Sequence, residues 1–355
     1  MKYRYAAAIV LICLIFSLPG RILAQEPEAK PGQNQELLDR IDALETHLKR
    51  LEEESKARKS LEVTEEEKVE KEKEVLQAVG REYSLSPKGT LGVDYSLSYG
   101  YSPSETLYTL DEVLQLKRIS NHTITHTIAT SYSILDNLST SLNIPVVYRY
   151  NKMGTDDELD ETDIGDISMG IALQPVKTRA GDFRYTVSLG AVFPTGRSPY
   201  KINPDTELST GSGKYSMSLG GSFSKQVDPV VMFGNLGYSH TFNFNLKDMD
   251  YLVSSAYTLQ EVDPGDTYSF SLGVAYALSY QTSMNMSFSY SYGKSSTLTY
   301  KSLDPVKTGD STSASMGIGV GFKVNPKTTV SVSVSHSLTS QGFSLTTRVP
   351  FDFVL

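Results

Sequence analysis

Tyr268-Ser269-Phe270-Ser271-Leu272-Gly273-Val274-Ala275-Tyr276-Ala277-Leu278-Ser279-Tyr280, followed after a short break by Met284-Asn285-Met286-Ser287-Phe288-Ser289-Tyr290-Ser291-Tyr292, decides the fold. In both stretches a large apolar or aromatic residue occupies every second position, and Ser, Asn, Gly or Ala fills the positions between. Successive side chains of a strand point to opposite faces, so this period makes one face apolar and the other small and polar. The polar face carries no charge here, which is unusual for a sheet whose outer side meets bulk water.

The same period runs in both directions from this pair. It is found at Leu91 to Tyr99, in the His/Ile/Thr run at 120–132, at Leu142 to Tyr150, Ile167 to Leu173, Tyr185 to Phe193, Tyr215 to Phe223 and Leu236 to Phe244. Beyond it lie Met316 to Val324, Val330 to Val334, and Phe343 to Phe353. That makes twelve candidate strands, each near the ~9–11 residues that a tilted strand needs to cross a bilayer. Short turns at Asp136-Asn137, 176–182, Asp228-Pro229, Tyr280-Gln281 and Asn325-Pro326-Lys327 alternate with long connections near 151–163, 195–213, 245–266 and 294–310. An even strand count with alternating short and long connections is the layout of an outer-membrane barrel. A soluble β-sandwich would also alternate, but aromatic residues recur near the strand ends, as interface girdles do. The expected fold is all-β: a transmembrane antiparallel β-barrel of about 12 strands over residues 89–355, in the outer membrane of a Gram-negative bacterium and with its lipid as partner.

Composition supports this placement. Among 355 residues there are 22 Tyr, 26 Gly, no Trp and one Cys, with 41 acidic against 33 basic residues. A pI near 5.3 argues against nucleic acid as a partner, because such proteins carry a basic footprint. Lys2 and Arg4 precede the apolar run Ala6 to Phe16, then come Pro19, Gly20 and Leu23-Ala24, the layout of a secretory signal peptide over 1–24. Ile22 at the −3 position leaves the exact bond open. Cys13 lies within the signal, and removing Lys2, Arg4 and Arg21 leaves 30 basic against 41 acidic residues, a charge of −11 with no cysteine chemistry.

Between signal and barrel the period changes. Residues 25–60 comprise a polar lead-in and then Leu37, Ile41, Leu44, Leu48 and Leu51, which step by four and three and form the seam of a short coiled coil or of an amphipathic helix packed on another domain. Residues 61–88 hold a second helix opened by the capping box Thr64 to Glu67, ended by Gly80, and striped by Val69, Val75, Leu76 and Val79. It reads as a linker helix or as a plug for the barrel. Inside the barrel the candidate lumenal residues are Asp94, Arg149, Asp166, Arg184, Ser287, Ser333 and Arg348, with Lys323 and Asp352 as further charges. The small hydroxyl lining cannot fill a twelve-stranded barrel.

Catalytic readings find little. His122 and His126 are roughly 13 Å apart on a strand and cannot share a metal. All four barrel histidines have the parity of the outward residues. The acidic run Asp156 to Asp163 reads as a solvated outer loop, and no cofactor or metal is expected. Asp163-Ile164-Gly165-Asp166-Ile167, Phe193-Pro194-Thr195-Gly196 and Thr210-Gly211-Ser212-Gly213, with Asp228-Pro229 and Asn235-Leu236-Gly237-Tyr238, resemble the outer-membrane transporter family of the MetA pathway of phenol degradation. The coiled coil ahead of the barrel is similar in layout to the functional-amyloid (Fap) secretion channel. That resemblance implies a homotrimer, a periplasmic N-terminal segment and a helix that plugs the pore. Two functions stay open: a gated trimeric channel passing an unfolded polypeptide, and an uptake channel for small aromatic or hydrophobic solutes.

Overall fold

The computed structural model describes residues 40, 43–50, 85–110, 113–153, 157–176, 182–203, 206–227, 230–246, 259–279, 281–301, 303–325 and 328–354. The chain forms two units, 1–63 and 64–355. In the first, residues 40 and 43–50 are helical, and Leu44 and Leu48 are 64% and 58% exposed. Leu37, Ile41 and Leu51 of the expected seam, and the plug stripe Val69, Val75, Leu76 and Val79, lie outside the described residues.

The second unit is built of strands. They are β1 (Thr90–Leu110), β2 (Val113–Leu135), β3 (Leu138–Met153), β4 (Asp157–Ile164), β5 (Ile167–Leu173), β6 (Arg184–Phe193), β7 (Ser216–Val227) and β8 (Val230–Thr241). After them come β9 (Phe244–Asn245), β10 (Leu259–Asp263), β11 (Thr267–Ala277), β12 (Thr282–Gly293), β13 (Thr297–Tyr300), β14 (Val306–Lys307), β15 (Ser311–Asn325), β16 (Thr328–Ser337) and β17 (Phe343–Val354). Neighbouring strands pair antiparallel, β1 pairs with β17, and β2 pairs with β3, so the sheet closes on itself. Counting β4 and β5 as one interrupted crossing, twelve strands surround the lumen. The loops contribute a separate four-stranded sheet in the order β14-β13-β10-β9, packed around buried Leu246 and Val262.

Closure follows from the environment. An unpaired strand edge in hydrocarbon leaves amides with nothing to bond, whereas a closed barrel leaves none. The register turns the expected faces as the alternation requires. Leu97, Ile128, Val146, Met169, Leu189, Leu236, Leu272, Ile318 and Val334 all stand exposed on the outer surface, while Ser331, Thr186 and Ser222 between them are buried inside. Exposed Tyr132, Tyr185, Tyr276, Phe322 and Phe351 ring the end with the short turns. Tyr99, Tyr215, Tyr238, Tyr268 and Phe343 ring the end with the long loops, several of them in edge or tilted ring contacts of 5.4–6.3 Å. On the inner face, glycines sit directly beneath serines of the next strand. A methyl group on Gly190 would stand 2.6 Å from Ser218 Oγ, and on Gly317 3.1 Å from Ser287 Oγ.

Two sequence readings need correction. The acidic stretch expected as an outer loop over 151–163 is largely the strand β4, paired with β3 from Met153↔Asp157 to Val146↔Ile164. The connections at 245–266 and 294–310 are not plain loops, because they carry β9, β10, β13 and β14. Both errors come from local composition. Polar, charged residues are poor strand formers in isolation, but a hairpin that extends an existing ladder beyond the membrane needs only its backbone amides.

The barrel's closing seam holds an ion pair. Asp94 on β1 and Arg348 on β17 lie inside, and Arg348 Nη2 donates to Asp94 Oδ2 at 3.0 Å. Pro350, out of place in a central strand, opposes Asp94 on β1 and lies past Ser331↔Arg348, where the β16 ladder ends. Removing one partner of a buried pair costs about 3–5 kcal/mol, and removing both costs less. Arg348→Gln should therefore lower the temperature at which the folded, fast-migrating band is lost on heating in detergent. The double variant with Asp94→Asn should recover part of that loss; equal losses would show that the pair does not hold the seam.

Candidate functional site

The site is the lumen and the loop that packs at one mouth of it. Its anchor is the interruption between β4 and β5. β3 pairs with β5 from Leu138 to Asn143 and with β4 from Val146 onward, and at the step between them Gly165 N–H donates to the carbonyl of Pro145 at 2.8 Å. A side chain at Gly165 would press on Pro145 and Val147, at 2.9 and 3.0 Å. Thr195 Oγ1 replaces the missing rung: it donates to the Gly165 carbonyl at 2.7 Å and accepts from Ile167 N–H at 3.0 Å.

Asp166, inward by parity, then ties the loop down. Its Oδ1 accepts from Gly196 N–H at 3.1 Å and its Oδ2 from Ser212 N–H at 2.6 Å. Thr210 Oγ1 donates to the Ile164 carbonyl at 2.9 Å and accepts from Arg197 N–H at 3.0 Å. Gly196 and Gly211 lie backbone to backbone, with no room for a side chain on either. The three short motifs around 163–167, 193–196 and 210–213 thus meet in one knot of hydrogen bonds, which pins both ends of the 194–215 loop to inward-facing residues. Ile202 and Leu208 of this loop are buried, and inward Arg149 reaches its Ser209, so the loop packs against the inner wall at this mouth.

Charges gather at this mouth. Arg197 Nη1 is paired with Glu161, its Nη2 lies 3.4 Å from Glu207 Oε1, and its Nε 3.9 Å from Asp163 Oδ2. Arg149, opposite Glu161 in the ladder, instead donates from Nη1 to Ser209 Oγ at 3.2 Å, and its buried Nε has no partner. Nearer the rim, His240 lies 2.8 Å from Asp266, and the hydrogen bond between them is the main reason that carboxyl is held below the ordinary carboxylate range.

Below the mouth the lumen is lined by hydroxyls and amides. One cavity of about 290 Å³ is walled by Gly100, Ser102, Asn121, Thr123, Ser335 and Ser344, among others. A deeper one of about 180 Å³ is walled by Asn285, Ser287, Ser289, Ser331, Ser333 and the ring of Phe233. Towards the end with short turns the inward residues are buried: Asp94, Arg184, Thr186, Ser222, Ser224 at 1% exposure, Val231 and Phe233 at 3%.

The expected lumenal residues therefore divide. Ser287 and Ser333 share one cavity, Asp94 pairs with Arg348, Arg184 is buried near the turns, Asp166 secures the loop, and Arg149 stands at the mouth. Reading the sequence missed Arg197, one residue past the Phe193-Pro194-Thr195-Gly196 motif, and Glu207, because a charged loop residue carries no periodic signal, and it took Glu161, which lies on β4, for part of a solvated loop. It also missed Phe233, whose inward parity breaks the rule that aromatics face out. The histidines are outward as expected: His126 and His122 share hydrogen bonds of 2.8 Å with the hydroxyls of Tyr95 and Tyr99. No cluster that could hold a metal ion is present among the described residues.

A closed twelve-stranded barrel with an apolar outer belt, aromatic rings at both ends and a polar lumen is an outer-membrane β-barrel of the channel class. Residues 91–353 match the family described as "Putative MetA-pathway of phenol degradation", and the chain belongs to that family. Its fold is similar to that of the COG4313 outer membrane channel from Pseudomonas putida F1, at 15% identity over 76% of this chain and 98% of that one, with a TM-score of 0.56. More distant likenesses are to the translocator domain of autotransporter NalP from Neisseria meningitidis (14% identity, 79% and 93% coverage, TM-score 0.45) and to the CymD monoaromatic hydrocarbon channel (10%, 76% and 89%, TM-score 0.35). Those two scores are too low to inform function.

The knot makes a direct prediction. A methyl group at Gly211 would collide with the Asp166 carboxylate and the Gly196 backbone. Gly211→Ala should free the 194–215 loop while leaving the barrel folded, so that an added protease cleaves within the loop at least tenfold faster. Asp166→Asn should do the same more weakly. Unchanged cleavage in both would mean that the loop is held elsewhere.

Proposed function

We propose that this channel takes up small aromatic or hydrophobic solutes that carry a hydrogen-bonding group across the outer membrane. The observation that carries the reading is the lumen, whose two cavities of about 290 and 180 Å³ are walled mainly by Ser, Thr, Asn and Gly, with the ring of Phe233 in the deeper one. Hydroxyls and amides can exchange hydrogen bonds with a phenol-like group without imposing the desolvation cost that fixed charges would. The family's description, which refers to phenol degradation, points to the same solute class.

Export of an unfolded polypeptide by a homotrimer is supported only by the N-terminal layout and by the exposure of Leu44 and Leu48, which a second copy could cover. The lumen itself favours the smaller cargo. We further propose that residues 65–83, which directly precede the barrel, close its periplasmic end. The short tether Leu85 to Lys88 between that segment and β1, together with the small hydroxyl lining of the lumen, supports the closure. Proteoliposomes test both points. Full-length protein should admit benzyl alcohol and phenol in preference to glucose, and a variant lacking 65–83 should raise all three fluxes severalfold. Equal permeation of glucose and phenol by the full-length protein would sink the uptake reading, and unchanged flux in the deletion would sink the closure.

A further inference from the structure

We propose that Arg149 is the anion-selecting group of the lumen, taking the carboxylate or phenolate oxygen of a small aromatic solute as it enters. The inference rests on the uptake reading above. Two guanidinium groups stand at the mouth where the 194–215 loop packs, and their surroundings are opposite. Arg197 is surrounded by Glu161, Asp163 and Glu207. Glu161 is also the residue directly opposite Arg149 in the ladder, yet its carboxylate turns to Arg197. No described carboxylate forms an ion pair with Arg149, and among the described residues its hydrogen-bond partner is Ser209 Oγ at 3.2 Å.

A guanidinium offers five N–H donors in a planar fork, and this one uses a single donor on a neutral hydroxyl while its Nε is buried without a partner. An uncompensated, partly desolvated cation is costly, and a stability argument alone gives no reason to keep one there. A transient anion would supply what is missing, because a carboxylate accepts two parallel N–H bonds from the fork. The position suits a passing solute. Arg149 faces Thr123 across the β2–β3 ladder, one strand spacing of about 4.8 Å away. Thr123 lines the 290 Å³ cavity, whose inward-facing wall is made of hydroxyls and amides and includes no charged residue. An aromatic acid resting there has hydroxyls and amides around it and the unmatched positive charge of Arg149 one strand away. Its occupancy would also draw the guanidinium off Ser209, relieving the orphaned Nε.

The test uses full-length protein in planar bilayers with a KCl gradient, benzoate as the charged probe and benzyl alcohol as its neutral counterpart. Open-channel events of the unaltered protein should favour chloride over potassium and be interrupted by millimolar benzoate. Arg149→Gln should abolish the chloride preference and weaken benzoate interruption at least tenfold, an effect on the anion well beyond any change in benzyl alcohol flux. Arg149→Lys keeps the charge and loses the fork, so chloride preference should survive while benzoate interruption falls. This variant carries the test if the glutamine protein does not form a barrel. Benzoate interruption of equal strength in either variant and the unaltered protein overturns the assignment. Arg149-dependent interruption without any benzyl alcohol flux upholds it and overturns the uptake reading alone.

Discussion

A strand in hydrocarbon has no water to bond its amides, and everything in this barrel follows from that constraint. Each backbone group must find its partner in a neighbouring strand, so the sheet must close, and the first and last crossings must meet. That meeting is β1 with β17 in an unbroken register from Thr90↔Val354 to Tyr101↔Phe343. Once closed, the outer face has to be apolar and the inner face has to fit a curved, crowded interior. The glycine-beneath-serine packing of the inner wall answers the second demand, and the rows of Leu, Val, Ile and Met on the outer face answer the first.

The chain departs from this rule at one place with chemical consequences. Between β4 and β5 the ladder steps, and the groups left over are met by side chains of a loop that comes from a distant part of the sequence. Thr195 and Asp166 are local substitutes for the missing neighbour strand. Because such substitution is paid in specific donors and acceptors, it fixes residue identity in a way that lipid contact does not. The charged residues of the mouth, Glu161, Asp163, Arg197 and Glu207, assemble on the frame that this knot provides.

How much of this could be read beforehand depends on whether a residue obeys the period. Strand count and face assignment were legible because alternation reports them residue by residue. β4 was not, since Asp157-Glu158-Leu159-Asp160-Glu161 places charge on both faces, which is acceptable only where the hairpin has left the lipid. The motif residues were noticed, but their convergence was not, because Asp166, Gly196 and Ser212 are brought together by tertiary hydrogen bonds. The pairing of Asp94 with Arg348 is equally invisible along the chain, at a separation of 254 residues.

The distribution of charge inside then takes on meaning. A lumen built for indifferent passage of water and ions would gain nothing from desolvated guanidinium groups, and each of them needs a reason. Arg348 has one in the seam, and Arg197 has one in holding carboxylates of the loop and of β4 together. With those carboxylates committed, Arg149 on the inner wall has, among the described residues, a hydroxyl as its partner. Pairing it with Glu161, its ladder neighbour, would have been the simplest way to neutralise the mouth. The loop forestalls this by presenting Arg197 to Glu161, so the same knot that gathers the carboxylates also leaves Arg149 without one among the described residues.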